Sequence, residues 1–239
     1  TGTTGSNGFH MIRLQAVDGS SFGLSADVDG CGIYQFGEGI EQSVYKPINT
    51  GNQFGRTVSH SADRRAGNGS ASMDFPGGGG STGPFIYLNS DTGFTFDNSS
   101  KYYFRLSAWV KHDLSTPSAD AIIVGKRNVS GPNGAYFLKY ETTPKSYVFA
   151  FSTNASGSDF NRTLSASIPL VSLTGFHHVQ VDIGDVEARL YVNGQLFDTE
   201  ALGITEEIFQ DDTSPFIIGA ENDGTSAIRG NIDEVNLIF

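Results

Sequence analysis

The sequence predicts an all-β protein, a two-sheet antiparallel jelly-roll sandwich, and three observations carry that expectation. Stretches that alternate apolar and polar residues recur along the chain, as strands with one buried face require. The breaks between them hold Gly, Pro and Asn, as in "SGPNG" and "TTPK". Helix signals are confined to one short segment. The composition agrees: 239 residues with 38% hydrophobic content can fill one large core, and 30 Gly, 18 Phe and 9 Tyr favour turns and aromatic strands over helices.

Taken in order, residues 1–8, "TGTTGSNG", read as a linker-like N-terminus. Residues 9–239 read as one jelly-roll domain whose first part, about 9–65, is irregular. "GFHMIRLQAV" and "GIYQF" suit strands, and "NTGNQFGRTVSHSADRRAGNGS" (49–70) reads as a long loop. "FPGGGGSTGP" (75–84) reads as a mobile connection or a place where another chain packs closely. "YYFRLSAWVKH" puts Phe104, Leu106, Ala108 and Val110 on one face and Arg105, Ser107, Trp109 and Lys111 on the other. "DAIIVGKR" (120–127), "AYFLKYE" (135–141), "SYVFAFS" (146–152) and "FHHVQVDI" (176–183) follow as strands. "RLYVNGQLFD" (189–198) is a hairpin, because both central positions of a type I′ turn need φ > 0 and Asn-Gly supplies them. Its inward residues are expected to be Val186, Ala188, Leu190 and Val192. The helix candidate is "TEALGITEEIFQ" (199–210), with Thr205 as its cap. "PFIIG" (215–219) and "IRGNIDEVNLIF" (228–239) supply the last strands. This spacing of strands suits a sandwich rather than a parallel sheet with crossover helices.

Charge narrows the partners. With 15 basic and 26 acidic residues the net charge is −11, which disfavours nucleic acid and anionic membrane surfaces. Two readings of the acidity stand: solubility, and affinity for calcium. The single cysteine, Cys31, allows no intrachain disulfide, and a chain of this length needs none to fold outside a cell. No apolar run is long enough to insert in a bilayer.

Four motifs occur in an order met in one group of proteins. "RRAGNGSASMDFPG" is similar to a strand of the form G-x-x-G-x-A-L-x-F-D-G, and "YFRLSAWVK" resembles F-T-I-S-A-W-V-K. "GFHHVQVDIGDVEARLYVNGQL" resembles W-H-H-V-A-V-T-Y-D-G followed by L-Y-V-N-G, and "PFIIGAENDGTSAIRGNIDEVNLIF" resembles L-x-I-G followed by F-x-G-x-I-D-E-V-x-I-Y. Together these resemble laminin-G-like, concanavalin A-like jelly rolls over residues 66–239. Two departures stand out. Phe176 replaces the usual Trp, and Asp74 precedes Phe75 instead of following it, which turns the carboxylate to the opposite face.

The resemblance implies a fold shared by lectins, adhesive modules, polysaccharide-degrading enzymes and structural proteins. Glucanases of this kind carry E-x-D-x-x-E on one strand, a spacing that aligns the carboxylates for nucleophile and acid roles. That pattern is absent here. The adjacent pair Glu206 and Glu207 cannot share one strand face. The jelly-roll lyase pattern, with its Gln-x-His strand, is inverted in "FHHVQV". The sequence therefore predicts no enzyme activity and no catalytic residue.

What remains are binding candidates. His177 and His178 stand on one strand, one facing in and one out, and suit a structural role better than a ligating one. Trp109 is either a packing residue or a sugar platform, and Tyr140, Tyr147 and Tyr191 are expected on outward faces with the same ambiguity. Asp233 shares its face with Val235, Leu237 and Phe239, so it is expected at the edge of an apolar layer, where a carboxylate must be paired, hydrogen-bonded or metal-bound. The resemblance implies a structural calcium at Asp233, for which Asp27 and Asp29 in "ADVDGCG" offer further oxygens; the other reading makes Asp233 a cap on neighbouring amides. Glu221, Asn222 and Asp223 in "GAENDGTS" form a polar loop that is either a rim ligand site or a solvated turn. The expected function is non-catalytic recognition of a glycan or another protein surface outside a cell. The alternative is a structural or decorating protein on a virion or in another extracellular assembly.

Overall fold

A computed structural model describes residues 11–12, 25–28, 31–34, 59–61, 72–76, 83, 85–88, 104–113, 118–127, 134–153, 160–168, 175–203, 206 and 214–238. They form an all-β structure dominated by two antiparallel sheets, the sandwich that the alternating segments predict.

The first sheet has six strands. In spatial order they are β11 (Arg162–Ser167), β10 (Lys145–Phe151), β9 (Gly134–Thr142), β8 (Ala121–Arg127), β15 (Phe216–Ile218) and β6 (Ile86–Leu88). The second has seven: β14 (Gln195–Ala201), β13 (Glu187–Val192), β12 (His177–Ile183), β7 (Phe104–His112), β16 (Arg229–Ile238), β5 (Ser72–Pro76) and β4 (Ser59–Ser61). A small third sheet, β1 (Met11–Ile12), β3 (Cys31–Tyr34) and β2 (Ser25–Val28), was not expected as a separate unit, and β1 pairs with β3 in parallel. β1 lies alongside β16. β4 falls inside the stretch expected to be loop.

The core lies between the two large sheets. β7 contributes Phe104, Leu106, Ala108 and Val110, and β12 contributes Val179, Val181 and Ile183. From the other sheet come Tyr136, Leu138 and Tyr140 of β9 and Tyr147, Phe149 and Phe151 of β10. Tyr140 and Tyr147 therefore point inward, against the expectation of outward tyrosines. β10 is buried on both faces, so alternation alone does not tell in from out there, whereas in β9 Lys139 and Glu141 mark the outer face and place Tyr140 inward. On the outer face Phe137, Ile122, Ala150 and Ile217 form a second apolar cluster, with Phe160 packed on it.

The Asn-Gly turn forms as predicted, with φ of 51° at Asn193 and 79° at Gly194. Ala188, Leu190 and Val192 are buried as expected, but Val186 is 56% exposed. Gly184 N–H donates to Glu187 O, so Asp185 and Val186 form the tip of a tight turn and the strand begins only after them. The helix candidate at 199–210 is also corrected. Thr199, Glu200 and Ala201 end β14, and Leu202, Gly203 and Glu206 are not helical; Thr205 and Glu207 lie outside the described residues. The turn at Glu206 is fixed instead by ionic contacts. Its carboxylate accepts hydrogen bonds from Gly203 N, Thr153 Oγ1 and the Arg162 guanidinium, and the Gly203 amide foremost holds its pKa down. Arg162 also pairs with Glu200 at 2.8 Å. This cluster ties the edge strand of one sheet to the edge strand of the other.

Candidate ligand-binding face

The seven-stranded sheet turns a polar face away from the core. Residues directly opposite in an antiparallel pair share a face, so the register assigns its rows. His178 lies opposite Trp109, and Trp109 opposite Asp233. Gln180 lies between Tyr191 and Ser107, and Asp182 lies between Arg189 and Arg105. Lys111 lies opposite Asn231, which in turn faces Asp74. The strand "HHVQVDI" produces this face by alternation: His177, Val179, Val181 and Ile183 go in, and His178, Gln180 and Asp182 go out. Arg105, Gln180 and Asp182 were missed as site candidates, although that alternation is the signal that points to them.

Trp109 and His178 pack together with ring centroids 4.9 Å apart and planes tilted by 44°. Beside them Arg105 holds Asp182 with both arms of its fork, at 2.6 and 2.9 Å. Gln180 Nε2 donates to the same carboxylate, 3.1 Å from each oxygen. Bidentate pairing fixes both side chains in orientation. The result is an aromatic pair next to a pre-oriented set of donors and acceptors, a combination suited to the apolar faces and hydroxyls of a sugar.

Asp233 does not share the core face with Val235 and Leu237. Asp233 pairs with Trp109 and Asn236 with Ser107, so three steps on β16 match two on β7. The extra residue is a β-bulge, and it reverses the parity that alternation assumes. Asp233 thus points out of the sandwich, with Trp109, although it is fully buried, as is most of Asn231 beside it. Asp27 lies in β2 and Asp29 outside the described residues, as does Phe239. Among the described residues no three His, Cys, Asp or Glu side chains come together.

The loop of Glu221, Asn222 and Asp223 belongs to the other sheet. Asp223 accepts from Thr225 N at 2.9 Å and from Thr225 Oγ1 at 2.6 Å, closing its own turn. Glu221 is buried, 3.3 Å from Arg127. Burial pushes its carboxyl up, opposed by the Arg127 guanidinium. Arg127 in turn lies over the rings of Phe137 and Phe160, at 4.7 and 5.5 Å. Asn222, between Glu221 and Asp223 in the chain, is partly exposed.

A profile of the concanavalin A-like lectin/glucanases superfamily, of the laminin G kind, matches residues 86–238. The chain belongs to this superfamily. The matched span runs from β6 to the end of β16 and includes every residue of the Trp109 face except Asp74. No curated protein sequence matches the chain. Among solved structures it is similar to the binding domain of the paraclostridial mosquitocidal protein 1, with a TM-score of 0.55 and 14% identity over 76% of this chain and 42% of that one. It is also similar to the binding domain of botulinum neurotoxin serotype D, with a TM-score of 0.50 and 13% identity over 76% of this chain and 42% of that one. At this identity the likeness is one of fold, and the chain spans less than half the length of either structure.

Proposed function

We propose that this jelly roll is a non-catalytic recognition module that binds a glycan on the outer face of its seven-stranded sheet, outside a cell. One observation carries the reading: the tilted Trp109–His178 ring pair stands beside the hydrogen-bonded Arg105–Asp182–Gln180 network on a single sheet face. Membership of a superfamily of lectins and glucanases supports a carbohydrate ligand, and the toxin domains of the same fold are named as binding domains. The absence of the E-x-D-x-x-E spacing favours lectin over glucanase. So does the state of Asp182, whose two oxygens are engaged by Arg105 and Gln180 and so are poorly placed for acid or nucleophile work.

A glycan array followed by calorimetry tests this. The protein is expected to retain at least one glycan class, and Trp109→Ala to weaken it by about fivefold or more, since an aromatic platform supplies about 1 kcal/mol or more. The far-ultraviolet spectrum should stay that of a β protein. A chain that binds no glycan and forms an obligate symmetric multimer would instead support the assembly role on a virion or other extracellular particle. Release of reducing ends from a polysaccharide would overturn the non-catalytic reading.

We also propose a structural calcium at Asp233. The observation behind it is that this buried carboxylate lies on the strand flanked by β1, whose small sheet carries Asp27 in β2. Calcium needs six to eight oxygens, so Asp29 and backbone carbonyls would have to complete the set. An ion that binds only the folded state adds about 2.7 kcal/mol at a hundredfold excess over its dissociation constant. Chelator is therefore expected to lower the melting temperature, and Asp233→Ala to lower it and remove the chelator effect. Identical melts with calcium and with chelator would leave Asp233 as a hydrogen-bonding group.

A further inference from the structure

Four ionisable rings meet inside one end of the sandwich. His112 ends β7 and His177 begins β12, so the seven-stranded sheet contributes both imidazoles. Tyr140 near the end of β9 and Tyr147 near the start of β10 contribute both phenols from the six-stranded sheet. His112 lies 4.7 Å from the Tyr140 ring and 6.1 Å from the Tyr147 ring, and the two tyrosines are 5.8 Å apart. Tyr147 Oη and His177 Nδ1 share a hydrogen bond of 3.2 Å. All four residues are buried. His112 Nε2 and Tyr140 Oη have no hydrogen-bond partner among the described residues.

Among the described residues no carboxylate is in place to balance a proton's charge here. Facing His112 are Tyr140 from β9, Tyr147 from β10 and His177 from β12, while its partner across β16 is Gly230. The nearby charges are engaged at the rim. Asp113 pairs with Arg229, and Asp120 accepts from Thr142 N and Oγ1. A proton on His112 would thus sit in an aromatic box beside a second histidine, with no counter-ion among the described residues.

We propose that this cluster is an acid-sensitive latch: neutral His112 and His177 hold the two sheets together at this end, and their protonation parts it locally. The electrostatics agree. Burial, with His177 adding to it, pushes His112 down to about 3, and burial also lowers His177. A histidine kept neutral when closed and titrating near 6.5 when open binds fewer protons closed than open between those two values. The closed form is therefore fully favoured above about pH 6.5 and loses ground as pH falls below it. At pH 5 His112 alone shifts the opening equilibrium about 30-fold toward open.

Hydrogen exchange of the full chain at pH 7.5 and 5.0, corrected for the intrinsic pH dependence of exchange, tests the latch. Amides of Val110–His112 and of the Tyr140–Tyr147 hairpin are expected to gain about 30-fold in opening. Amides of Phe104–Leu106 and Val181–Ile183, at the opposite end of the same strands, should change little. His112→Phe, which keeps a ring in the box, is expected to remove most of the acid response. Should that variant not fold, the imidazole resonances of the wild type decide: His112 must stay neutral down to pH 5 in the closed form. Equal acceleration at both ends, an unchanged acid response in His112→Phe, or a His112 that titrates near 6.5 in the folded protein would each overturn the proposal.

Discussion

Gly230→Ala is expected to cost on the order of 3 kcal/mol or more of folding stability. Gly230 stands in β16 with φ of +147°, between His112 of β7 and Phe75 of β5. A methyl group there would lie 2.0 Å from the Lys111 carbonyl oxygen and 2.9 Å from the His112 Cα. Those are backbone atoms in a paired central strand, so relief requires breaking ladder hydrogen bonds on one side or the other. Gly194→Ala is the control. It too has a positive φ, +79°, but the added methyl meets nothing within 4 Å, so only the backbone term of about 1–2 kcal/mol applies. Urea unfolding of the two variants against the wild type measures both. A Gly230→Ala midpoint within experimental error of the wild type would refute the argument from close approach.

The second large effect is expected from Phe104→Ala. Phe104 is fully buried, 5.1 Å from the Tyr136 ring and 6.3 Å from that of Phe149, so it bridges the two sheets. Truncation removes apolar contact and leaves a cavity that close-packed neighbours fill only in part, a loss of about 3–5 kcal/mol. The same strand separates stability from recognition. Arg105, the next residue, faces the opposite way and belongs to the ligand-binding face. Any Phe104→Ala protein that remains folded should therefore bind glycan with near wild-type affinity, while Trp109→Ala should lose affinity. Loss of binding in both, with intact folding, would mean that the outer face is not independent of the core.

Much of this architecture is legible in the chain. The faces of β7 and β12 follow from alternation, and the turn at Asn193 and Gly194 follows from the φ its type requires. The superfamily follows from motifs whose order survives the replacement of Trp by Phe176. The errors have specific causes. Val186 looks like the first residue of a strand because it continues an alternating pattern, but a tight turn needs residues at its tip whatever their polarity. Glu206 sits in a segment with helical signals, yet its carboxylate is taken up by the Gly203 amide and by Arg162, a residue of another strand that local reading does not reach.

Asp233 and His112 show where local reading stops. Side-chain parity is a property of one strand, and it holds until a bulge adds a residue. Whether a bulge is present depends on how β16 matches β7, a strand more than a hundred residues earlier. The burial of His112 likewise depends on Tyr140, Tyr147 and His177 arriving from three other strands. Periodicity and turn chemistry are local interactions, so the linear chain carries the strands, the hairpin and the kind of fold. Register shifts, the outward turn of Asp233 and the closed aromatic box arise from pairing and packing between distant segments, and those energies exist only once the two sheets have met.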